Sequence, residues 1–513
     1  MPRIRMTRRH ALLTTAAAAG NLAMPAISRA QSRPAITHGI QSGDISQNGA
    51  VIWARADREA KMLVEWSTTE AFADPQRVQP LAVGAATDCT GKLELTGLPA
   101  DQDIFFRVQM QDLSDSDGMS EIVVGHFRTA PAGLRDVRFV WSGDTAGQGW
   151  GIDADRGGMR TYATMLAHVP DFFIHSGDNV YADGPMTEEV TLKDGTVWRN
   201  LLTPEKSKVA ETLDEFRGQY LYNMLDGNVR AFNAQVPILT QWDDHEVLNN
   251  WYPDEVLDDD RYSEKSVALL SSRAARAFHE MTPTRVTPPE PYRVYRKVAY
   301  GPLLDIFFID MRTYRSDNTA NDELQPTAYL GTEQTEWLKR ELANSTATWK
   351  VIASDMPIGM IVRDGDSAFE NSSNGDGPVR GREFDIAEVL SFIKHAGVTN
   401  TVWLTADVHY TAAHHYSPDR AQFQDFEPFW EFVSGPLHAG TFGPNEYDDT
   451  FGPEVVFAKA PDADMGANLP PSDGYQFFGV VEIEAATGIM TVRLMDVADQ
   501  ELFAVDLEPQ RRL

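Results

Sequence analysis

Two kinds of hydrophobic patterning divide this chain. From Ile36 to Ala130 short apolar or alternating runs, "AVIWARA" (50–56) and "MLVEWST" (62–68), are separated by turn residues. "GKLELTGLPADQDIFFRVQMQD" (91–112) reads as two strands joined across Gly-Leu-Pro. This predicts a small β-sandwich over 36–130, followed by a linker at "TAPAG" (129–133). From Val137 onward, compact apolar strands alternate with amphipathic stretches. The strands are "VRFVWSGD", "DFFIHSGD", "VPILTQWDD", "LLDIFFIDM", "WKVIASDM" and "NTVWLTADVHY"; helices are expected over 158–168, 208–225, 263–280, 332–344 and 384–396. Strand–helix–strand repetition predicts an α/β domain over 136–508, ending in a strand-rich stretch.

The strands of the second region share a termination. Asp144, Asp178, the Asp243–Asp244 pair, Asp355 and Asp407 each follow a strand, and Asp310 follows another. Ligands of α/β proteins bind beyond the carboxyl ends of strands. One acid there is an ordinary turn or capping residue. Several converging acids repel one another unless a cation is held among them. "QWDDHEVLNNW" (241–251) adds His245, "GDNVY" places Tyr181 three residues after Asp178, and "ADVHY" places His409 two residues after Asp407. Carboxylate with phenolate suits a hard trivalent ion, Fe3+ above all.

Charge and composition narrow the function. The 513 residues carry a formal charge of −30, and residues 1–30 hold five arginines and no acids, so the rest of the chain stands at −35. Such a surface repels nucleic acid and anionic lipid, so no nucleic-acid partner is expected. Cys89 is the one cysteine, which excludes an intramolecular disulfide and a thiolate metal cage. Residues 1–30 have a basic start, an apolar run at 11–19 and a small-residue end at Ala30, the pattern of a cleaved export signal. Arg8-Arg9 resembles a twin-arginine signal, which implies the twin-arginine export machinery as a partner and a periplasmic or secreted product. No other stretch has the roughly 18 apolar residues of a membrane span, and no stable membrane anchor is expected.

The motifs "FVWSGDTAGQG", "HSGDNVYADG", "WDDHE" and "ADVH", taken in order, resemble the alkaline phosphatase D (PhoD-like) family of metallophosphoesterases. Their metal-ligand pattern resembles that of purple acid phosphatases. The resemblance implies a calcineurin-like metallophosphoesterase fold, two β-sheets flanked by helices, behind the β-sandwich. "TGLPADQDIFFRVQ" is itself similar to the tyrosine-corner region of fibronectin type III domains, with Phe105 or Phe106 at the tyrosine's place. By motif, Asp144, Asp178, Tyr181 and His409 fall on one metal position, for which Fe3+ is implied. Asp178, Asp244 and Asp407 fall on a second, with Asp355 as a further candidate; its all-oxygen donors suit Ca2+. Asp144 stands where some members of the family carry cysteine. His245 is expected to stabilise the developing phosphorane charge or protonate the leaving group. Arg199 and Asn250 are candidates for substrate contact, Asp243 for supporting His245 or a turn, His175 for the core, and His414 and His415 for a supporting role.

The expected activity is hydrolysis of a phosphate monoester or diester by a metal-bound hydroxide at a dinuclear Fe/Ca-type centre. A phosphodiesterase acting on lipid headgroups, in the manner of a phospholipase D, is an open alternative. A calcium-binding surface or adhesion protein is an alternative of another class, against which Tyr181, His245 and His409 count.

Overall fold

The computed structural model describes residues 33–510; the expected export signal lies outside them. Two mixed sheets form the body. The nine-stranded sheet runs Glu501–Leu507, Met490–Asp496, Phe477–Ile483, Val137–Ser142, Phe172–Ser176, Ile238–Gln241, Ile36–Gly43, Gly49–Ala56 and Thr90–Thr96. The seven-stranded sheet runs Arg296–Ala299, Leu304–Phe308, Trp349–Ala353, Thr401–Thr405, Phe429–Val433, Thr411–Tyr416 and Pro453–Lys459.

Both sheets are covered on both faces, which is why their central strands read as unbroken apolar runs rather than alternating ones. Phe139, Trp141, Phe172 and Ile174 face Ile306, Phe308, Val351, Val402 and Leu404 of the other sheet in one buried core. The opposite parity, Val140 and Phe173, packs outward against Tyr162, Met165, Phe216 and Phe278 of the helices Arg160–Ala167, Leu213–Asn223 and Val267–Met281. Phe307, Ile352 and Trp403 likewise meet Leu338 and Leu390 of Thr332–Asn344 and Glu383–His395. Deleting one of these aromatic side chains costs about 3–5 kcal/mol.

Helix ends follow their caps. The expected helix over 208–225 begins only at Leu213, because Thr212 Oγ1 accepts from Glu215 N (3.3 Å) while Glu215 Oε2 accepts from Thr212 N (2.8 Å). The one expected from 263 begins at Val267, after Ser266 caps Leu269 N.

The N-terminal strands do not form a free-standing layer. Ile36–Gly43 pairs in parallel with Ile238–Gln241 at Gly43 and Ile238, so one leaf of the sandwich continues the nine-stranded sheet. The other leaf, built on Ala60–Ser67, Asp103–Asp112 and Val123–Arg128, packs Met62, Val64, Ile104, Phe106 and Phe127 against Ile40 and Ile52. Hydrophobic patterning reports which residues face a core; it does not report which strand a sheet edge pairs with.

The topology sets the site. Val137–Ser142, Phe172–Ser176 and Ile238–Gln241 are mutually parallel, as are Leu304–Phe308, Trp349–Ala353, Thr401–Thr405 and Phe429–Val433. Parallel neighbours end on the same side, so the strand-end acids within each sheet emerge together. Trp141 Nε1 donates to Thr405 O (3.3 Å) and Ser142 Oγ to Ser434 O (3.3 Å), tying those ends across the two sheets.

Candidate metal centre

The acids turn inward because the chain turns sharply behind them. Asp144, Asp178, Asp407 and His409 have φ of +66°, +50°, +67° and +60°. Each left-handed residue other than glycine costs about 1–3 kcal/mol and persists where surrounding contacts hold it, most often at functional sites. Two glycines make the turns possible. Gly177, at φ +101°, passes so close to Asp243 that a Cβ there would lie 2.5 Å from the Asp243 Cβ. Gly147 underlies the Tyr181 ring, where a Cβ would lie 2.3 Å from Cε2.

Two sets of ligand atoms result. One atom from each of Asp144, Asp178 and His409 lies within 4.8 Å of the other two, and the same holds for Asp178, Asp244 and His245. Asp178 belongs to both, as a carboxylate bridging two ions would. The Tyr181 hydroxyl is 2.8 Å from His409 Nε2, which in turn is 3.8 Å from Asp144 Oδ1. All five of these acids and histidines are buried, as is Tyr181.

The donor set fits a cation. Both oxygens of Asp144 are buried and accept no hydrogen bond. Burial pushes the Asp144 and Asp178 carboxyls well above the carboxylate range; nearby Asp244 and Glu246 push the same way and His245 opposes them. Burial, then the charges of Asp178 and Asp144, raise the Tyr181 phenol. Bare buried oxygens on like-charged neighbours are what a bound metal relieves. Burial also lowers His409 to about 4, so its imidazole is neutral. Its Nδ1 donates to the Gly440 carbonyl, leaving the Nε2 lone pair to face the acids.

The loop after Ile238–Gln241 supplies the second set. Asp244 Oδ2 accepts from Asn250 N (2.6 Å), and Asp178 Oδ1 accepts from His245 N (3.2 Å). Burial works against the charge on Asp244, but His245, Arg312 and the Asn250 N–H outweigh it and hold the carboxyl below its ordinary value. Asn250 thus reaches the cluster through its backbone, at φ +59°, while its side chain donates to Asp364 Oδ1 (3.1 Å).

Several sequence expectations are corrected. Asp243 does not support His245: its Oδ1 accepts from Arg312 Nε (2.7 Å). Asp183 supports His245 instead, with Oδ1 2.7 Å from Nδ1 and Oδ2 accepting from Asn249 N (2.9 Å). Arg199 touches none of the acids; it is exposed and pairs with Glu189 at 3.3 Å. Asp355 sits 3.4 Å from Arg312 Nε, with neither oxygen hydrogen-bonded. Asp310 is a turn cap, accepting from Arg312 N, Thr313 N and Trp242 Nε1. His175, as expected, lies in the core, where it bonds Thr145 Oγ1 (3.0 Å) and burial lowers it to about 3. His414 bridges Glu431 (2.8 Å) and the Tyr447 hydroxyl (3.1 Å), while the His415 ring lies tilted against Trp430, 5.0 Å between centroids.

Four residues escaped the sequence reading: Asp183, Glu246, Arg312 and Glu370. Glu246 Oε1 accepts from Asn179 N and Nδ2, and its Oε2 accepts from Asp243 N, locking the loops of Asp178 and Asp244 together. Burial raises this carboxyl to about 7. Asp183 and Glu246 lie inside the motifs already singled out, five residues after Asp178 and one after His245. Arg312 and Glu370 carried no local signal.

Comparison with known proteins agrees with this geometry. Residues 139–494 match the PhoD-like phosphatase family, and residues 20–131 match the PhoD-like phosphatase N-terminal domain. Alkaline phosphatase D of Bacillus subtilis (strain 168) is 27% identical over 463 residues, covering 85% of this chain and 75% of that protein. A solved structure of PhoD superposes with a TM-score of 0.68 at 22% identity, covering 92% of this chain and 89% of that one. Purple acid phosphatase PPD1 from yellow lupin (Lupinus luteus) seeds shares the fold at a TM-score of 0.52 and 11% identity, over 93% of this chain and 74% of that one. With strand-end acids converging on a buried donor set and family matches across most of its length, the chain belongs to the PhoD-like phosphatases and is a phosphoric ester hydrolase.

Proposed function

We propose that this protein is an exported phosphatase that hydrolyses phosphate monoesters or diesters at a two-cation centre. Asp144, Asp178, Tyr181 and His409 would hold Fe3+; Asp178, Asp244 and Asp407 would hold Ca2+, with His245 beside them. The observation that carries the reading is the sharing of Asp178 between two donor sets, one containing a phenol and a neutral imidazole. Bound there, the cations would supply positive charge against the phosphoryl oxygens and lower the pKa of an attacking water.

The protein's own groups do the rest. Asp183 fixes the ring of His245 through Nδ1, leaving Nε2 to carry a proton. Burial lowers the His245 ring, and the carboxylate of Asp183 beside Nδ1 is the largest charge that opposes it and favours the protonated form. An imidazolium held this way can donate to a departing alkoxide. The Asn250 N–H and Glu246 hold the Asp244 loop against the Asp178 loop, so the donors need little rearrangement as charge develops.

The twin-arginine signal read at residues 8–9 supports export of the folded, loaded enzyme. Among the described residues no helix is long and apolar enough to cross a membrane. Hydrolysis of nitrophenyl phosphate and of bis-nitrophenyl phosphate by the wild type, Asp178→Asn and His245→Ala tests the reading. Loss of both activities in Asp178→Asn supports it; unchanged activity in both variants refutes it.

A further inference from the structure

Next to the second donor set lies a cation that the protein supplies itself. Arg312 is fully enclosed, at 0% side-chain exposure, and four acids surround its guanidinium. Nε and Nη2 reach Asp243 Oδ1 at 2.7 and 2.5 Å, and Nη1 reaches Glu370 Oε1 at 2.5 Å. Asp355 Oδ2 lies 3.4 Å from Nε, and Asp407 Oδ1 lies 4.0 Å from Nη2. The root of this side chain is fixed: Asp310 Oδ1 accepts from Arg312 N (3.0 Å), and Asp310 N donates to Gln334 Oε1 (2.7 Å).

Among the described residues, only two sets of acids and histidines bring three ligand atoms together, and neither contains Asp243, Asp355, Glu370 or Asp407; the first three lie against the guanidinium, and Asp407 stands farther off at 4.0 Å. Asp243, Asp355 and Glu370 are strand-end or loop acids like the ligands, equally buried, and distinguished from them by what they face. A guanidinium cannot be deprotonated in a protein, and its planar fork serves several carboxylates at once. Removing such a charge from a buried ring of acids leaves them without compensation.

We infer that Arg312 is a positioning residue standing in place of a further metal ion: its guanidinium balances Asp243, Asp355 and Glu370, steadies Asp407, and confines metal binding to the Asp144–Asp178–Asp244–His409 end of the cluster. The inference rests on the metal centre proposed above. It assigns Asp355 and Glu370 to the arginine and not to a metal.

The test is a metal count by mass spectrometry on the full chain, equilibrated with calcium chloride, for the wild type, Asp355→Asn, Glu370→Gln, Arg312→Lys and Arg312→Met. Asp355→Asn, Glu370→Gln and Arg312→Lys are expected to keep the wild-type count. Arg312→Met is expected to bind about one more calcium ion, or to melt at a temperature that rises with calcium more steeply than the wild type's, because Asp243, Asp355 and Glu370 then face an empty place. Loss of a metal equivalent in Asp355→Asn or Glu370→Gln would overturn the inference, as would an unchanged count in folded Arg312→Met. Should Arg312→Met not fold, the two isosteric acid variants decide. A wild type without metal would instead overturn the two-cation reading, so the two failures are distinguishable.

Discussion

The Tyr181 hydroxyl donates to His409 Nε2 across 2.8 Å, though 228 residues separate them in the chain. His409 can only accept there, because its Nδ1 is committed to the Gly440 carbonyl. The pair closes the Asp144–Asp178 end of the cluster and places a phenol oxygen and an imidazole nitrogen on one centre. Tyr181→Phe removes the oxygen and leaves the ring on Gly147. Its stability should change by only about 0.5–1.5 kcal/mol, the value of one hydrogen bond, while metal affinity or activity falls about 10–100-fold. Thermal melts beside metal analysis and initial rates check this. With iron bound, the wild type should show a tyrosinate-to-iron absorption band that the variant lacks.

Asp183 predicts a dependence on the leaving group. If it fixes His245 as a proton donor, Asp183→Asn should slow hydrolysis of an alkyl phosphate about 10²–10³-fold, because the alkoxide needs a proton as it leaves. Nitrophenyl phosphate, whose leaving group needs none, should slow only about tenfold or less. Equal losses on the two substrates would mean that Asp183 only holds the loop through Asn249 N.

The strands, their order as an α/β pattern and the acids at their ends were legible because each is a local signal: an apolar run, then an aspartate. Tyr181 and His409 were legible by spacing from an acid. Arg312 and Glu370 were not, since a buried charge network is assembled from distant segments and each of its residues alone looks like surface charge. Asp244 was separated from Asp243 by its place in the motif; that Asp243 turns to Arg312 was not legible, because what an adjacent carboxylate faces depends on the turn. The joining of Ile36–Gly43 to the catalytic sheet through Ile238 was hidden for a related reason: edge pairing is a tertiary fact. Arg199 misled because a Trp-Arg-Asn stretch says nothing of exposure.

Gly177 is a direct test of the strained turn. Gly177→Ala puts a methyl 2.5 Å from the Asp243 Cβ and forces alanine to φ +101°. Steric overlap and backbone strain together should destabilise the protein by about 2–5 kcal/mol, read as a lower denaturant midpoint with unchanged slope. Metal content should fall with it, since Asp178 and Asp243 both move.

Away from the centre, two buried carboxyls make stability depend on pH. Burial, then the charge of Asp448, raises Glu383 to about 8, and burial raises Asp448 to about 6. In the unfolded chain both ionise near pH 4. The folded state therefore holds the extra protons between about pH 4 and 8, and this contribution to stability is present below pH 4 and lost as pH rises through 6 and then 8. Glu383→Gln should flatten the decline by a few kcal/mol across that window. Denaturant titrations at successive pH values measure it; an identical slope in variant and wild type would contradict the assignment.

The central claim is that the converging acids hold metal and that this metal drives ester hydrolysis. Elemental analysis of the purified protein, with nitrophenyl phosphate hydrolysis measured on the same samples of wild type and Asp178→Asn, tests it most directly. The account predicts about one iron with at least one calcium in the wild type, and loss of metal and activity together in the variant. A wild type that hydrolyses the ester without bound metal, or an Asp178→Asn variant that keeps both, would contradict it.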